Sequence, residues 1–475
     1  MTEPIKKNDE FRDKLATVAD DGSRNWIYPK KPSGKFYTAR SILSFFLLAF
    51  LFGAPFIKIN GHPFMLFNVL ERKFILFGVA FGPHDFHLFG LAMISVVVSI
   101  FLFTVVYGRI FCGWICPQTI FMEMVFRKIE YWIEGDASRQ RALAKAPWDA
   151  QKIIKKVSKQ VIFFLISFLI ANTFTAYIIG IEALENMIVE GPGAHFGTFA
   201  AVTVFSGIFY FVFSYFREQA CTMVCPYGRL QGVMLDQNSI VIAYDNVRGE
   251  PRGKIKKGTD QSNNGDCIDC HICVDVCPTG IDIRNGTQLE CVNCTACIDA
   301  CDDVMVKVGR PKKLIKYASK NEIESGKRKI FTPRAIGYTA VLVLLLSLLT
   351  VLMANRSDFE LTILRTPGLL YQEQPGGKIS NLYDMKLVNK TFKILPAKLK
   401  LKNIKGEIKL IGHDLVAEPQ EVVEAKFLVI LPESEIHKLN TPIEISVESE
   451  GIEIDVIKTS FLGNVKKEKK EESNK

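Results

Sequence analysis

The chain has 475 residues, of which 48% are hydrophobic and 23% are charged, and its formal net charge is +9. This length exceeds a single compact core, and long apolar runs beside charged segments indicate membrane spans joined to soluble parts. The positive charge does not indicate nucleic-acid binding, because the Lys and Arg residues cluster beside the apolar runs, as membrane topology requires.

Five apolar runs are long enough to cross a bilayer, which takes ~20 residues. The first run follows forty polar residues and lacks an A-x-A cleavage site, so we predict an uncleaved span and not a signal peptide. Residues 61–85 are also apolar, but Glu71, Arg72 and Lys73 interrupt them, and we predict an interfacial or re-entrant segment there. The predicted spans are 41–57, 86–107, 160–181, 197–216 and 336–354.

The distribution of Lys and Arg predicts the orientation of these spans. Nine such residues lie in 1–40 and ten in 108–159, whereas 182–196 holds none. Basic residues also flank the long segment 217–335. The positive-inside rule therefore places the N-terminus and these basic segments in the cytoplasm. Five spans then leave the C-terminus in the periplasm of a Gram-negative inner membrane.

The second and fourth predicted spans are each followed by the pattern C-x-x-x-C-P, in "RIFCGWICPQT" and "ACTMVCPYGRL". Residues four apart share a helix face, and the following proline either starts a new helix or breaks the old one. We predict that Cys112, Cys116, Cys221 and Cys225 converge at a kinked helix end on the cytoplasmic side. Soft thiolates at low coordination select Cu(I), so these four are candidate copper ligands. The alternative is that they are buried small hydrophobic residues.

Eight further cysteines form two runs, "CIDCHICVDVCP" and "CVNCTACIDAC". Each has the spacing C-x2-C-x2-C-x3-C of bacterial two-cluster ferredoxins, in which the fourth cysteine ligates the other cluster. Zinc fits poorly, because its sites use two C-x-x-C pairs, and His271 is predicted to be a surface residue and not a ligand. The predicted ligands are Cys267, Cys270, Cys273 and Cys301 for the first 4Fe–4S cluster, and Cys291, Cys294, Cys297 and Cys277 for the second.

The last 120 residues contain no cysteine and alternate apolar with polar residues in short runs, as in "IEISVESEGIEIDVIKTSF". Period-two alternation broken by Gly, Pro and Asn predicts a β-sandwich. The final segment, "KKEKKEESNK", is too highly charged to pack, and we predict a disordered tail.

The segments "YGRIFCGWICPQT", "ACTMVCPYGRLQGVMLD", "GDCIDCHICVDVCPTGIDIRNGTQLECVNCTACIDACDDVM" and "GRPKKLIKY" closely resemble the CcoG/FixG (RdxA) family of cytochrome oxidase accessory proteins. The resemblance implies a polytopic α-helical membrane protein with a cytoplasmic two-cluster ferredoxin-like insert and a periplasmic immunoglobulin-like domain. The domains expected from residues and resemblance together are an N-terminal segment 1–40, a four-span region 41–216, a ferredoxin-type domain 217–335, a fifth span 336–354, an immunoglobulin-like β-sandwich 355–462 and a disordered tail 463–475.

The resemblance also implies a function, namely reduction of Cu(II) to Cu(I) during assembly of cbb3-type cytochrome oxidase. In that function Cys112, Cys116, Cys221 and Cys225 act on copper, and the partners are membrane lipid, oxidase subunits, copper-handling assembly proteins and an electron donor. One alternative is an electron-transfer subunit that passes electrons between quinol and a partner reductase or oxidase. Another is a scaffold for oxidase subunits, against which the eight intact cluster ligands argue.

Overall fold

The structure of the protein is a computed structural model that describes residues 16–19, 21–69, 73–255, 264–412, 414–449 and 451–464. It divides into two compact units, one formed by Met1–Phe64 with Gly90–Leu349 and the other by Met65–Phe89 with Thr350–Lys475. The predicted disordered tail falls almost entirely in 465–475, and Glu71 and Arg72 fall in another gap; both lie outside the described residues.

Helices account for most of the first unit. Three π-helical turns, Phe121–Phe126, Val212–Phe216 and Ala220–Val224, adjoin the α-helices. The α-helices are α1 (Lys35–Gly53), α2 (Phe86–Tyr107), α3 (Ile110–Trp114), α4 (Pro117–Ile120), α5 (Arg127–Ile133), α6 (Ala137–Lys145), α7 (Ala150–Ile179), α8 (Ile181–Glu190), α9 (Phe196–Phe211), α10 (Pro226–Met234), α11 (Asn246–Gly249), α12 (Ile272–Asp275), α13 (Ala296–Lys307), α14 (Lys320–Ser325) and α15 (Pro333–Ala354).

In the part of the chain that the structure describes, five helices are long and apolar enough to cross a membrane, which confirms the five predicted apolar spans. They cover Lys35–Phe56, Phe86–Tyr107, Ala150–Ile179, Phe196–Phe216 and Pro333–Ala354. The third begins ahead of the predicted 160, because its first turns carry lysines that a search for apolar runs passes over. The Asp149 side chain caps that start by accepting a hydrogen bond of 2.7 Å from the Lys152 amide.

Aromatic side chains fill the centre of the helical bundle. Phe126, in a π-helical turn, stacks on Phe213 at 4.6 Å between ring centroids and meets Phe163 edge-on at 4.8 Å. All three are almost completely buried, and such ring pairs stabilise a core beyond their buried area. This cluster fixes α5, α7 and α9 to one another and positions the segments that follow α9.

The strands lie in both units. They are β1 (Lys58–Ile59), β2 (His62–Pro63), β3 (Met65–Asn68), β4 (Lys73–Leu76), β5 (Val79–Phe81), β6 (Val241–Tyr244), β7 (Ile315–Ala318), β8 (Phe359–Arg365), β9 (Gln372–Gln374), β10 (Lys378–Asn389), β11 (Leu395–Pro396), β12 (Lys398–Leu401), β13 (Glu407–Ile411), β14 (Val416–Ala417), β15 (Val422–Pro432), β16 (Asn440–Ser449) and β17 (Ile452–Leu462).

The cysteine runs lie between β6 and β7, which pair antiparallel from Val241↔Ala318 to Tyr244↔Ile315. The pairing of β6 with β7 brings together the two ends of the segment that contains the cysteine runs. Helices α12 and α13 begin within the first and second runs, and buried apolar residues such as Met305 of α13 and Leu314 pack in the same core. The segment is therefore a compact ferredoxin-like body within the first unit.

Residues 65–68, 73–76 and 79–81 lie within the segment 61–85, whose interfacial or re-entrant placement stays a prediction. They form the antiparallel meander β3–β4–β5 within the second unit. Just after it, buried Asp85 accepts from Arg356 at 2.8 Å and from Lys390 at 3.0 Å. These pairs connect the start of α2 to the segment that follows α15, because Asp85 precedes α2 and Arg356 follows α15.

The rest of the second unit is the predicted β-sandwich. One sheet has the order β13–β15–β10–β8, with β9 also paired to β10, and a second has the order β12–β16–β17. Tyr383 and Phe427, both fully buried, stack at 5.5 Å between ring centroids. The Tyr383 hydroxyl donates to the Ser460 carbonyl at 2.8 Å, which bonds the two sheets through the core.

Candidate metal centres

The two cysteine runs fold into matching loops. Asp269 and His271 in the first run, and Asn293 and Thr295 in the second, adopt left-handed backbone conformations with φ between 53° and 68°. Asp, Asn and His tolerate this conformation better than most residues. The two left-handed residues turn each loop tightly just before α12 or α13 begins, which brings the cysteines of each run together.

The first predicted set of ligands surrounds one cavity. Its lining includes Cys267, Cys270, Cys273 and Cys301. Burial, followed by the nearby thiolates of the other three cysteines, raises the pKa of Cys301 to about 12. The structure thus brings together the three leading cysteines of one run and the last cysteine of the other, as the spacing predicts. Cys270 is the exposed member of the set.

The structure also brings together the cysteines of the second predicted set, none of which is exposed. Burial raises the pKa of Cys297 well above its ordinary value, and the thiolates of Cys294, Cys291 and Cys277 raise it further. Cys277 lies at the end of the first run, so this set also draws on both runs. Each set offers four soft sulfur donors, the donor set that 4Fe–4S clusters take. In the described ranges, no group of three or more His, Cys, Asp or Glu residues is arranged for a single metal ion.

The two C-x-x-x-C-P pairs share one local geometry. Cys116 and Cys225 both have extended backbones, with ψ of 125° and 110°, and each directly precedes a proline that starts a new helix. Their amides donate to carbonyls five residues earlier, at Phe111 and Ala220, both at 2.9 Å. The predicted kinked helix end is confirmed. The predicted shared helix face is wrong, because the second cysteine of each pair lies after the helical turn has ended.

The four thiols of the pairs converge. Burial, then the thiolates of Cys116, Cys112 and Cys225, raises the pKa of Cys221 to about 12. Burial also raises the pKa of Cys112 to about 11, with Arg109 acting in the opposite direction. The Cys112 thiol donates to the Gln231 side chain at 3.0 Å. Two segments about a hundred residues apart therefore bring four cysteines into one neighbourhood, in which Cys112 is buried and the other three are half-buried.

Sequence reasoning missed the polar residues around this site. Arg109 is buried, donates to the Leu289 carbonyl and opposes the burial-driven rise in the pKa of Cys291. Gln231 donates in turn to Thr104 in α2 at 3.0 Å. Arg40 and Gly113 link the first pair to the second cysteine run. The sequence offered little signal for Arg40, because it stands directly before the first apolar run among the other basic residues of 1–40, where it indicates topology.

A buried ion network lies ahead of the second pair. Arg217 has a left-handed backbone, with φ of 55°, and its guanidinium donates to both Glu130 oxygens at 3.0 and 2.6 Å. Burial alone would raise the pKa of Glu130, but Arg217, Lys159 and Arg127 lower it. The next residue, Glu218, accepts from Arg127 at 3.3 Å, and its carbonyl accepts from the Cys221 amide at 3.1 Å. The network thus fixes the turn that begins the second pair.

Three protein families match parts of this chain. Residues 216–320 match a family described as a 4Fe-4S dicluster domain, and residues 89–137 match one described as a 4Fe-4S binding domain. Residues 349–464 match a family described as an IG-like fold at the C-terminal of FixG. The sandwich of the second unit is therefore immunoglobulin-like, and the segment that holds both cysteine runs is an iron–sulfur segment.

Named relatives match most of the chain. Protein RdxB of Cereibacter sphaeroides is 35% identical over 384 residues, which cover 77% of this chain and 80% of the relative. Protein RdxA of the same organism is 34% identical with the same coverage, and nitrogen fixation protein FixG of Rhizobium meliloti is 29% identical over 86% of this chain and 87% of the relative. A solved structure, a FixG-related protein from Vibrio parahaemolyticus, matches 23% of this chain and all of its own length, at 18% identity and a TM-score of 0.20.

Proposed function

The chain belongs to the FixG/RdxA family, and from that premise we propose that it reduces Cu(II) to Cu(I) during assembly of a cbb3-type cytochrome oxidase. It is an iron–sulfur membrane protein of redox type, since it combines 4Fe–4S segments with five helices able to span a membrane. The observation that carries the copper proposal is the convergence of the four pair thiols.

The eight run cysteines hold two 4Fe–4S clusters in this proposal. Cys267, Cys270, Cys273 and Cys301 line one cavity, which supports their assignment to the first cluster. The thiolates of Cys277, Cys291 and Cys294 all raise the pKa of Cys297, which supports the assignment of these four to the second cluster. When bound, such clusters supply single electrons at low potential.

Copper is the substrate, and the four pair thiols bind it. Thiolates are soft ligands that favour Cu(I) over Cu(II), so a site of this kind stabilises the product of a one-electron reduction. Burial raises the pKa of Cys112 and of Cys221, so both hold their protons in the metal-free protein, and a bound cation displaces those protons. The released Cu(I) is in the form that copper-handling assembly proteins and oxidase subunits accept through soft ligands.

We further propose that the N-terminus and the cysteine runs are cytoplasmic and that the immunoglobulin-like domain is periplasmic. The asymmetry of Lys and Arg supports this orientation. Residues 65–89 and 350–464 belong to one compact unit, which supports their placement on a single side of the membrane. Phosphatase and fluorescent-protein fusions after residue 370 test the orientation. Phosphatase activity is expected there, and cytoplasmic fluorescence would overturn it.

A second candidate function is electron transfer with quinol and a partner reductase or oxidase, without copper. Residues 89–137 match a 4Fe–4S binding family, and the cysteines in that segment are Cys112 and Cys116. This match favours a place for the pair thiols in an electron-transfer chain. The two functions predict different substrates for the same purified protein.

The experiment that separates them uses dithionite-reduced protein, freed of dithionite anaerobically. Mixed with Cu(II) and a colorimetric Cu(I) chelator, it should yield about two Cu(I) per chain, one for each one-electron cluster. A quinone analogue should reoxidise it slowly or not at all. No Cu(I), together with rapid oxidation by the quinone, would replace the copper proposal with the quinol-linked function.

A further inference from the structure

The two sets of run cysteines have different surroundings. The first set includes the exposed Cys270, and its cavity is lined by residues of the ferredoxin-like body alone. The second set contains no exposed cysteine, although Cys294 and Cys297 are no more buried than Cys267 and Cys273 of the first set. Its loop packs against the first C-x-x-x-C-P pair. One set therefore lies beside solvent, and the other lies beside the four pair thiols.

Gly113, which lies between Cys112 and Cys116, packs tightly against the loop of the second cysteine run. A methyl group in place of its hydrogen would lie 2.5 Å from the Asn293 carbonyl oxygen and 2.6 Å from that of Val292. Because no real side chain tolerates such contacts, only glycine permits this backbone-to-backbone packing. Val292 and Asn293 are the two residues between Cys291 and Cys294, so the contact joins the two cysteine loops themselves.

Arg40 bonds the same two loops. Its guanidinium donates to the Gly113 carbonyl at 3.0 Å and to the Cys294 carbonyl at 2.8 Å. The side chain comes from α1 and is 4% exposed, so its charge acts in a poorly hydrated environment. A third connection runs from the Trp114 indole to the Tyr317 hydroxyl at 3.1 Å and on to the Asn293 carbonyl at 3.3 Å.

We propose that electrons reach the four pair thiols from the second cysteine set across the contact of Gly113 with Asn293, and that they enter the protein at the first set, beside Cys270. Arg40 is the positioning residue of that contact. The inference rests on the proposed function and specifies its order. Each Cu(II) gains one electron and becomes Cu(I), the second set's cluster loses that electron, and a soluble one-electron donor restores it through the first set.

The geometry can be tested with Co(II) as a paramagnetic probe, since it binds thiolates and the clusters do not reduce it. Its thiolate charge-transfer band reports occupancy of the pair thiols. The reduced clusters are themselves paramagnetic, so their EPR signals report which cluster lies nearer to the cobalt. One cluster signal should relax faster when Co(II) is bound, and the other should be unchanged. Equal effects on both signals would overturn the proposal, as would absence of the charge-transfer band.

The variant Arg40→Met identifies which cluster is affected. Loss of a buried positive charge beside Cys294 should lower the reduction potential of the second cluster and leave that of the first unchanged. The cluster whose reduction potential falls in Arg40→Met should be the same cluster whose EPR signal relaxes faster when Co(II) is bound. If the two measurements identify different clusters, the proposal is overturned. In single-turnover mixing, oxidation of the clusters by Cu(II) should slow at least tenfold in this variant.

The control is Arg365→Met. Arg365 also donates to two main-chain carbonyls, those of Leu369 at 3.0 Å and Leu370 at 3.3 Å, but it belongs to the second compact unit and, among the described residues, bonds to neither cysteine run. Its rate should stay within twofold of the native protein. Equal slowing in both variants would leave Arg40 a merely structural residue. Failure of the native protein to reduce Cu(II) would instead reject the proposed function, while the cobalt result would still report which cysteine set is nearer.

Discussion

The two kinds of cysteine site in this protein are assembled in opposite ways. The ferredoxin-like runs bring their thiols together locally, through short loops with left-handed residues at matching positions. The C-x-x-x-C-P pairs contribute two thiols each and become a four-thiol site only when the segments after α2 and α9 meet. A local site can be predicted from spacing, whereas a site built from distant segments depends on the packing around it.

Substitutions in the two kinds of cysteine site should differ most in their effect on the iron content of the protein. Cys294→Ser removes a ligand of the second set, so iron should fall from about eight to about four per chain. Cys221→Ser removes a pair thiol and should leave iron at about eight. Iron and labile-sulfide assays of anaerobically purified protein measure both. A loss of iron from Cys221→Ser as large as that from Cys294→Ser would erase the distinction between the two kinds of site.

The variant Glu130→Gln should show that the C-x-x-x-C-P pairs depend on the buried ion network packed beside them. The substitution removes one buried countercharge from Arg217 and Lys159, which keep Glu218 and Glu134 as their remaining partners, so the loss of unfolding free energy should be about 2–3 kcal/mol, below that of a fully unpaired charge. Thermal unfolding in detergent measures the loss. The control is Glu182→Gln, which breaks an exposed pair with Lys58 and should change little. Similar losses in both variants would show that the buried network does not stabilise the segment.

The protons that the pair thiols release when they bind Cu(I) give a further test of how these thiols differ from the run cysteines. The raised pKa values of Cys112 and Cys221, about 11 and about 12, mean that both metal-free thiols hold their protons between pH 6 and 8. Each thiol that binds Cu(I) loses its proton, so affinity should rise by at least about tenfold per pH unit in this range. Competition with a Cu(I) chelator at several pH values measures the slope. The paired variant Cys112→Ser/Cys221→Ser should flatten it, and a flat slope in the native protein would contradict thiol ligation.

Sequence patterns predicted the features that are periodic along the chain or that form within a short stretch of it. The apolar runs predicted five spans, the alternation beyond α15 predicted the sandwich, and the cysteine spacing predicted two sets that each draw on both runs. In each case one short window contains the physical cause, whether hydrophobic length, strand period or loop geometry.

The remaining features depend on contacts between distant segments. Nothing near Arg40 in the sequence indicates that it bonds to Gly113 and Cys294, and nothing near Glu130 indicates Arg217. The strands at 65–68, 73–76 and 79–81 were not predicted, because the apolar composition of 61–85 does not specify how its strands pair. The convergence of the pairs was predicted from their repetition, but the bonds that hold them together were not.

The central claim is that the pair thiols act on copper while the run cysteines hold the clusters. Its most direct test measures cupric reduction by two variants, Cys112→Ser/Cys116→Ser and Cys221→Ser/Cys225→Ser, after their iron content is shown to equal that of the native protein. Serine preserves size but is a poor ligand for Cu(I). Reduced protein of either variant should keep its cluster absorbance and produce Cu(I) at less than about a tenth of the native rate, as expected when a soft-ligand site is lost. Native rates in both variants would contradict the account and leave these four cysteines as packing residues.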